Sequence, residues 1–429
     1  MRHHCLPVSA RATPTRRERG AAAYLMGTLS DRPAAATPRV VVVGAGTRLL
    51  SGITYYTIRL TNALATRYVV AAIPMRQFMP SFLYPGRSRA GTAITRLNND
   101  PGVTVLRGID WYWAPNLFRD LIDLARWRPD IVIFEWWTGT VLHTYLAIAL
   151  LARVRGASLI VEFHEVLDTG EDRILLARAY VKVVGRLFLR LAAAFVIHSD
   201  ADRGPLERRY RLGSRPCVVI PHGPFDHHVS TEPAEGSGSV VRIAPPDAMN
   251  LLYFGIIRPF KGLEDLIAAF EMLDDEEVKH YWLTVVGETW EGWDEPIQRI
   301  GTSRHRARIT VVNRFVDDGD VTAHFAGADA VVLPYRRSSA SGPAHIAMSN
   351  GLPLVITAVG GLPAAVADYE GAILVPPRDP AALRDALRRL PGLVGRRYPD
   401  PHSWNRTVAR YGELMRQLGQ PRTTEATEV

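Results

Sequence analysis

Leu251-Leu-Tyr-Phe-Gly255 is an apolar run that ends in glycine, and a similar run, Arg39-Val-Val-Val-Val-Gly44, occurs near the start of the chain. Each run is typical of a buried parallel strand. After each run, further apolar segments alternate with segments of helical spacing, which predicts βαβ units and right-handed crossovers. We therefore expect an α/β fold with two doubly wound, Rossmann-like domains, whose substrates bind beyond the carboxyl ends of the strands.

Two series of strands follow from this pattern. In the first series the predicted strands are 39–44, 68–73, 103–106, 130–135, 158–163, 194–198 and 217–221. In the second they are 251–255, 283–287, 309–312, 330–334, 354–357 and 372–375. A proline-rich stretch with the run Glu235-Gly-Ser-Gly-Ser239 separates the two series and is typical of a linker. The predicted organisation is a disordered arm (1–38), a first Rossmann-like domain (39–222), a linker (223–249), a second Rossmann-like domain (250–395) and a return helix with a tail (396–429).

Composition is ordinary for a folded protein. The 429 residues are 47% hydrophobic and 22% charged, with a net charge of +8, which excludes a largely disordered chain. Two cysteines are too few for a disulfide scaffold and fit a reducing compartment. The first 25 residues lack the apolar core of a signal peptide, and either Met1 or Met26 could be the true start. We expect a cytoplasmic protein.

The loop after the strand at 251–255 carries two cations. Arg258 and Lys261 precede a segment of helical spacing, so they lie at a strand's carboxyl end and face the cleft. Arginine can bond two phosphate oxygens at once and lysine acts as a point charge, so the pair suits a diphosphate. The alternative is a solvated surface pair.

Two more turns favour an anion. Ser341 is a suitable N-cap for a helix that begins near Gly342, and the free amides of such a first turn form an anion site. Gly360 and Gly361 form a glycine turn at the end of another strand. Together with Arg258 and Lys261, these turns indicate a nucleotide-diphosphate site in the second domain.

A weaker signal lies in the first domain. Gly44 and Gly46 begin a dinucleotide-like pattern, but Leu49 stands at the third glycine position, so a plain strand-to-helix turn is the better interpretation. Gly52 directly precedes a helix, where the backbone can approach an anionic ligand closely.

In order along the chain, these motifs resemble the retaining glycosyltransferases of glycosyltransferase family 4, which have the GT-B fold of two Rossmann-like domains. The resemblance covers about residues 39–418. The motifs that carry it are Gly52, Val161-Glu-Phe-His164-Glu165, His198-Ser199-Asp200, Val219-Ile-Pro-His222-Gly223, Arg258 with Lys261-Gly262, Leu333-Pro-Tyr335, Ser341-Gly342, Gly351-Leu-Pro353, Gly360-Gly361 and Leu374-Val-Pro-Pro with Asp379.

The resemblance implies a role for each matched residue. Arg258 and Lys261 would bind the donor diphosphate and stabilise the leaving group, and Gly52 would let a loop approach the same phosphates. His164 would lie beside the donor sugar, and the amides after Ser341 would hold the distal phosphate. The residue-based alternative for His164 is a buried histidine at the end of a strand.

The chain departs from the family at one motif. The family usually has Glu-x(7)-Glu at this helix, and alignment on Gly351-Leu-Pro353 places Ser338 and Ile346 at the two positions. Asp368 and Glu370 are nearby acidic candidates to replace them. No metal and no other cofactor is expected, because cations and amides can stabilise a leaving diphosphate.

The acceptor side is expected in the first domain. Aromatic residues are interleaved with arginines at 76–96, and Arg178, Lys182, Arg186 and Arg190 recur every four residues on one helix face. Such a stripe suits anionic lipid headgroups on the inner face of a membrane, although a solvated outer face is equally consistent. Met79, Trp111, Trp113, Trp136 and Trp137 are candidates for an acceptor pocket, although core packing is the default for tryptophan.

The leading hypothesis is a hexosyltransferase that uses a nucleotide sugar to extend a polysaccharide, glycolipid or lipid-linked acceptor. The alternatives are a sugar-nucleotide epimerase of the same fold and an inactive nucleotide-sugar-binding subunit, the latter because of the missing carboxylates. Nucleic-acid binding is disfavoured, since the basic residues are dispersed and no readout element accompanies them.

Overall fold

A computed structural model describes residues 37–47, 52–77, 95, 97–165, 175–229, 242–290 and 292–419. The predicted arm up to residue 36, most of the aromatic–basic segment at 76–96, the glycine–serine run of the linker and the tail after Gly419 lie outside the described residues. Within the described ranges, every helix is too short or too polar to cross a bilayer.

The first domain is a parallel sheet whose central strand is the valine run. The strands of its main path lie in the order β3-β2-β1-β5-β6-β7-β8, and β4 pairs with β2. Val41 and Val43 join one buried cluster while Val40 and Val42 join another, so β1 is covered on both faces. The elements are β1 (Arg39–Ala45), α1 (Gly52–Ala65), β2 (Val69–Gln77), β3 (Val103–Val105), β4 (Ile109–Asp110), α2 (Asn116–Trp127), β5 (Ile131–Trp136), α3 (Leu142–Val154), β6 (Ser158–Phe163), α4 (Leu175–Leu191), β7 (Ala194–Ile197), α5 (Arg203–Arg209) and β8 (Cys217–Val219).

The second domain repeats this design. Its parallel strands lie in the order β11-β10-β9-β12-β13-β14. Leu251 and Tyr253 of β9 face one cluster and Leu252 faces another, so this sheet is also covered on both sides. The elements are β9 (Met249–Phe254), α6 (Leu263–Glu271), β10 (Tyr281–Val286), α7 (Glu295–Thr302), β11 (Ile309–Val312), α8 (Asp318–Ala326), β12 (Ala330–Leu333), α9 (Gly342–Ser349), β13 (Leu354–Thr357), α10 (Leu362–Ala365), β14 (Ala372–Val375) and α11 (Pro380–Arg389).

Short helical turns and one long helix complete the described chain. The last helix, α12 (Trp404–Gly419), confirms the predicted return helix, and its Trp404, Val408 and Tyr411 pack in the cluster of β1 in the first domain. The 3-10 turns are Asp200–Asp202, Asp226–His228, Pro259–Lys261, Glu277–His280, Arg306–Arg308 and Leu390–Gly392.

Two predicted segments differ in extent. β2 continues to Gln77 rather than ending near residue 73, because Pro74 and Met75 still pair with Gly44 and Ala45 of β1. The first part of the predicted linker is buried: Phe225 is 5% exposed. It lies against Tyr55 of the first domain and His345 of the second.

Candidate functional site

The loop of Arg258 and Lys261 leaves β9 and forms a single 3-10 turn. Arg258 is extended, with φ −142° and ψ 157°, and the turn ends at Gly262 with φ +66°. A side chain at Gly262 would place its Cβ 2.0 Å from the carbonyl oxygen of Pro334. Only glycine therefore allows this loop to lie against the loop that follows β12.

Arg336 fastens these two loops together. Its guanidinium donates to both carboxylate oxygens of Asp265, at 2.8 and 2.7 Å, and its backbone N–H donates to the carbonyl oxygen of Phe260 at 2.9 Å. A two-pronged bond of this kind fixes orientation as well as distance. The loop of Arg258 and Lys261 is thus held in a defined position.

Both cations rest on aromatic rings. The Nζ of Lys261 lies 3.7 Å from the ring centroid of Tyr335, and the guanidinium carbon of Arg258 lies 4.3 Å from that of Trp290. Within the described chain, no carboxylate lies within ion-pair distance of Lys261. A ring face attracts a cation without neutralising it, so the charge of Lys261 remains available to an anion.

The predicted helix start at Ser341 borders Lys261. Ser341 Oγ accepts a hydrogen bond from the N–H of Ala344 at 3.2 Å, which makes it the N-cap of α9. The same Oγ lies 3.4 Å from the hydroxyl of Tyr335, the ring beneath Lys261. The structure therefore brings Lys261, Ser341 and Gly342 into one region of the second domain.

The turn at Gly360 and Gly361 has a packing role. A Cβ at Gly360 would lie 1.9 Å from the carbonyl oxygen of Ser338, and one at Gly361 would lie 2.4 Å from that of Ser339. The second of these would also lie 3.0 Å from Ser199 of the first domain. These close approaches explain why both positions are glycine.

Gly52, predicted to precede a helix, is the first residue of α1, and among the described residues nothing lies within 4 Å of the position that its Cβ would occupy. The same helix reaches the second domain at Tyr55, whose hydroxyl donates to Asp318 at 2.6 Å. Burial and the nearby Asp318 carboxylate raise the pKa of Tyr55 above its usual value.

His164 follows β6 and meets the second domain. Its carbonyl oxygen accepts a hydrogen bond from Ser339 Oγ at 3.1 Å, and its own N–H donates to Trp136 at 2.9 Å. Its Nδ1 lies 3.1 Å from Nε2 of His198, and its Nε2 is buried without a hydrogen-bond partner among the described residues. Burial lowers the pKa of His164 well below its usual value, so the ring is neutral at pH 7.

Two glutamates lie behind His164. Glu135 and Glu162 are paired in register on β5 and β6, and both are fully buried. Tyr56 donates to Glu162 and Thr57 to Glu135, each at 2.5 Å. Burial raises the pKa of Glu162 to about 7, and burial together with the neighbouring Glu162 charge raises the pKa of Glu135 well above its usual value.

More histidines continue from this group towards the second domain. The rings of His198 and His222 lie 5.2 Å apart, those of His222 and His345 stack at 4.8 Å, and those of His345 and His402 are 5.0 Å apart. These four rings border a cavity of about 260 Å³ between the domains. None of these four histidines is among the site residues predicted from the sequence, although a signal existed: His164, His198 and His222 follow three neighbouring strands.

One set of described residues has the donor types of a metal site. One ligand atom each from Glu162, His164 and His198 can lie within 4.8 Å of the others. The His164 and His198 nitrogens are already at hydrogen-bond distance, 3.1 Å, and Glu162 accepts from Tyr56. Hydrogen bonds therefore account for the contact between His164 and His198 and for that between Tyr56 and Glu162.

Comparison with known proteins decides the family. Residues 51–223 match the model of a glycosyl transferase 4-like domain, and residues 248–391 match that of glycosyl transferases group 1. The chain belongs to the family 4 glycosyltransferases. The D-inositol 3-phosphate glycosyltransferase of Streptomyces bingchenggensis (strain BCW-1) is 28% identical over 337 residues, which cover 72% of this chain and 70% of that relative.

Solved structures agree on the GT-B fold. Sucrose-phosphate synthase from Thermosynechococcus elongatus superposes with a TM-score of 0.61 at 18% identity, over 89% of this chain and 99% of that one. Anabaena Alr3699/HepE in complex with UDP-glucose superposes with a TM-score of 0.58 at 15% identity, over 88% and 100%. At these identities the likeness concerns the fold alone.

The missing carboxylates of this glycosyltransferase have structural consequences. Ser338 uses its hydroxyl locally, donating to the carbonyl oxygen of Ala340 at 2.6 Å, and Ile346 is buried in the core. Of the two acidic candidates, Asp368 is exposed and borders the cavity, while Glu370 is exposed beside β14. Neither lies in the loops that carry Lys261 and Ser341.

The region predicted from the sequence to bind the acceptor is described only in part. Met79 and the arginines at 87, 89 and 96 lie outside the described residues, and Arg76 pairs with Asp110 at 3.8 Å. Trp136 and Trp137 are buried in the core, which is the default role for tryptophan. Trp113 is 49% exposed and remains available to an acceptor.

Proposed function

We propose that this glycosyltransferase moves a hexose-type sugar from a nucleoside diphosphate sugar to a polysaccharide, glycolipid or lipid-linked acceptor, with retention at the anomeric carbon. The observation that carries the proposal is the contiguous patch of Lys261, Tyr335 and the N-terminus of α9, beside the loop of Arg258. Structural neighbours support it, since Anabaena Alr3699/HepE is known in complex with UDP-glucose and an E. coli neighbour is known bound with UDP-2-fluoro glucose.

The patch suits the charge that develops in the reaction. As the bond from the anomeric carbon to the phosphate oxygen breaks, negative charge accumulates on the leaving diphosphate. Lys261 and Arg258 supply positive charge, and the N-terminus of α9 adds the positive end of the helix dipole and the N–H of Gly342, since Pro343 has no N–H and that of Ala344 donates to Ser341. Because Gly262, Arg336 and the aromatic rings hold these groups in place, little reorganisation is needed when the bond breaks.

The bond changes balance without another reactant. The acceptor's hydroxyl oxygen bonds to the anomeric carbon, the carbon–phosphate-oxygen bond breaks, and the hydroxyl proton leaves on the nucleoside diphosphate. Residues 258–262 and 334–342 contain no aspartate or glutamate, so these loops offer no carboxylate nucleophile. This favours departure and attack on the same face, as the family resemblance implies.

We further propose that no metal is required, because fixed cations and amides take the place of one. Activity should persist after exhaustive treatment with a chelator. Loss of activity that Mg²⁺ or Mn²⁺ restores would contradict this part of the proposal and leave the donor assignment intact.

Arg258→Ala and Lys261→Ala test the donor site. We expect each to lower turnover of the best nucleotide sugar about 100-fold, the scale of one lost electrostatic contact to a transition state. Binding of the nucleoside diphosphate, measured by calorimetry, should weaken as well. Arg304→Ala is the matched control, since Arg304 is an exposed arginine of the same domain that pairs with Asp275.

A screen of nucleotide sugars by thermal shift should precede the kinetics. A donor at about 100 times its dissociation constant stabilises the fold by about 2.7 kcal/mol. If Arg258→Ala retains full affinity and turnover while the protein remains folded, the donor assignment is wrong.

The acceptor proposal rests on helix surfaces of the first domain. Arg178, Lys182, Arg186 and Arg190 are all exposed on α4, beside the exposed apolar side chains of Leu175, Leu176, Val183 and Leu187. Helices α2 and α3 add the exposed apolar side chains of Phe118, Ile122, Leu150 and Val154. Cations mixed with apolar side chains favour an anionic lipid surface, where a lipid-linked acceptor would be found.

A further inference from the structure

His164 and His198 form a hydrogen bond, and their other contacts determine which ring donates and which accepts. Nδ1 of His198 lies 3.0 Å from the backbone carbonyl oxygen of Ile220. A carbonyl oxygen only accepts, so Nδ1 of His198 must carry the hydrogen. Burial lowers the pKa of His198 to about 4, so at pH 7 the ring holds one proton and its Nε2 is an acceptor.

The direction continues to His164. Nε2 of His198 lies 3.1 Å from Nδ1 of His164, and since that Nε2 accepts, Nδ1 of His164 must donate. His164 is also neutral, which leaves its Nε2 without a hydrogen. That atom is buried and has no partner among the described residues, so it is an unsatisfied acceptor.

The surrounding groups do not offer a competing arrangement. The nearest oxygen of Glu162 is 3.6 Å from Nε2 of His198, beyond hydrogen-bond distance, and accepts from Tyr56 instead. Nδ1 of His222 is directed to the carbonyl oxygen of Gly223 at 3.0 Å. The ring of Tyr56 packs edge-on against His164 with centroids 4.7 Å apart, which holds the ring without bonding to its nitrogens.

We propose that His198 is a positioning residue that fixes His164 in the Nδ1–H tautomer, so that His164 presents only an acceptor nitrogen and selects a hydroxyl group of the bound substrate. The substrate part of this inference rests on the proposed function. A hydroxyl can donate to Nε2, whereas a carboxylate or carbonyl oxygen at the same place would face a lone pair. A site built to bond a hydroxyl discriminates strongly against an analogue that lacks it.

Nitrogen NMR of the full chain labelled with ¹⁵N-histidine tests the tautomer directly. His164→Gln and His198→Gln identify the two sets of signals. In the unmodified protein at pH 7.5 we expect a hydrogen on Nδ1 of His164 and a ¹⁵N–¹⁵N coupling to Nε2 of His198 through the hydrogen bond. A hydrogen on Nε2 of His164, a doubly protonated ring or a missing coupling would overturn the proposal.

Two substitutions of His198 test its positioning role. His198→Leu removes the acceptor, so His164 should shift towards the Nε2–H tautomer and kcat/KM for the donor should fall about tenfold, the scale of one hydrogen bond. His198→Gln keeps an acceptor oxygen near the position of Nε2 and should retain the tautomer and most of the activity. An unchanged His164 tautomer in His198→Leu would overturn the role, and if that variant does not fold, the coupling in the unmodified protein decides.

The result can be separated from the fate of the proposed function. His280→Gln, at an exposed position, is the control for substitution of histidine as such. If Arg258→Ala retains full turnover while the tautomer is as expected, the donor assignment fails and the histidine pair stands. If the tautomer is wrong while Arg258→Ala is inactive, the reverse holds.

Discussion

The hydroxyl of Ser339 donates a 3.1 Å hydrogen bond to the backbone carbonyl oxygen of His164. This bond ties the loop before α9 in the second domain to the end of β6 in the first. Gly361 lies directly behind the loop, against Ser339 and Ser199. The two domains therefore meet at the residue that the family resemblance places beside the donor sugar.

Ser339→Ala should weaken this contact between the domains without unfolding either one. Losing one hydrogen bond costs about 0.5–1.5 kcal/mol of stabilising free energy, so kcat/KM for the donor should fall roughly two- to tenfold. Steady-state kinetics measure the effect, and Ser214→Ala in an exposed turn is the control. Equal kinetics for both variants would show that the bond does not contribute to catalysis.

Gly361→Ala should be more disruptive because its Cβ would lie 2.4 Å from the carbonyl oxygen of Ser339. Overpacking of this kind costs about 1–3 kcal/mol, and relief requires the loop before α9 to move. We expect a lower melting temperature and weaker donor binding. Gly392→Ala, where no described residue lies within 4 Å of the added Cβ, should leave both unchanged. A fully stable and active Gly361→Ala would contradict the close approach.

Local patterns were sufficient to predict the fold and the cation loop. The runs at 40–44 and 251–255 are apolar because their strands are covered on both faces, and helical spacing after Gly262 fixes the loop that carries Arg258 and Lys261. The N-cap role of Ser341 follows from its own side chain and the next three residues. Such features depend on short stretches of chain.

The histidine cluster and the role of the glycine turn depend on distant residues. His164 and His198 are 34 positions apart, and His345 comes from the other domain, so their contacts arise only from strand order and domain closure. Gly360 and Gly361 resemble a ligand-binding turn in sequence, yet their neighbours are the carbonyl oxygens of Ser338 and Ser339. Only the packed loops show that a side chain cannot fit at Gly360 or Gly361.

The buried histidines should make the fold sensitive to acid. Burial lowers the pKa of His222 and His345 well below the usual value, while in the unfolded chain it is about 6.5. Below pH 6.5 these two histidines bind protons in the unfolded state but stay neutral in the native state, so the free energy of unfolding falls as pH falls. In His345→Leu the decrease in the free energy of unfolding on going to pH 5 should be smaller by on the order of 1–2 kcal/mol.

Urea unfolding at pH 5 and pH 7.5 measures the effect. Leucine suits the site, because His345 is 2% exposed and its Nδ1 has no partner among the described residues. His280→Leu, on the surface, should leave the difference between the two pH values unchanged. If His345→Leu is as acid-sensitive as the unmodified chain, His345 is charged in the native state and its pKa is not lowered.

Glu162 should have the opposite effect and lower the free energy of unfolding as the pH rises. Burial raises its pKa to about 7 from 4.5, so the native state binds the proton more tightly than the unfolded state does. The resulting stability is fully present below pH 4.5 and is lost as pH rises through 7. Glu162→Gln should therefore become more stable relative to the unmodified chain between pH 5 and pH 8, by on the order of 3 kcal/mol.

The measurement is again the free energy of unfolding in urea. Glu413→Gln is the control, since Glu413 is half exposed on α12 and pairs with Arg410. A constant difference between Glu162→Gln and the unmodified chain at all pH values would mean that Glu162 is ionised in both states.

The exposed cations of α4 should bind anionic lipid. Each basic side chain near such a surface contributes about 1 kcal/mol, and the neighbouring apolar side chains add to this. Arg186→Glu with Arg190→Glu reverses two charges on that face, so binding to vesicles of phosphatidylglycerol and phosphatidylcholine should fall by more than tenfold. Sedimentation with vesicles at two salt concentrations measures it, because electrostatic binding weakens as salt rises.

The control must change the net charge equally at another surface. Arg389→Glu with Arg396→Glu does so on the second domain, where both side chains are exposed. That variant should bind vesicles about as well as the unmodified chain, if a defined face rather than total charge attracts the lipid. If both variants lose vesicle binding equally, the binding depends on net charge and not on the α4 face. If the unmodified chain does not bind vesicles, the basic face of α4 is an ordinary solvated helix face.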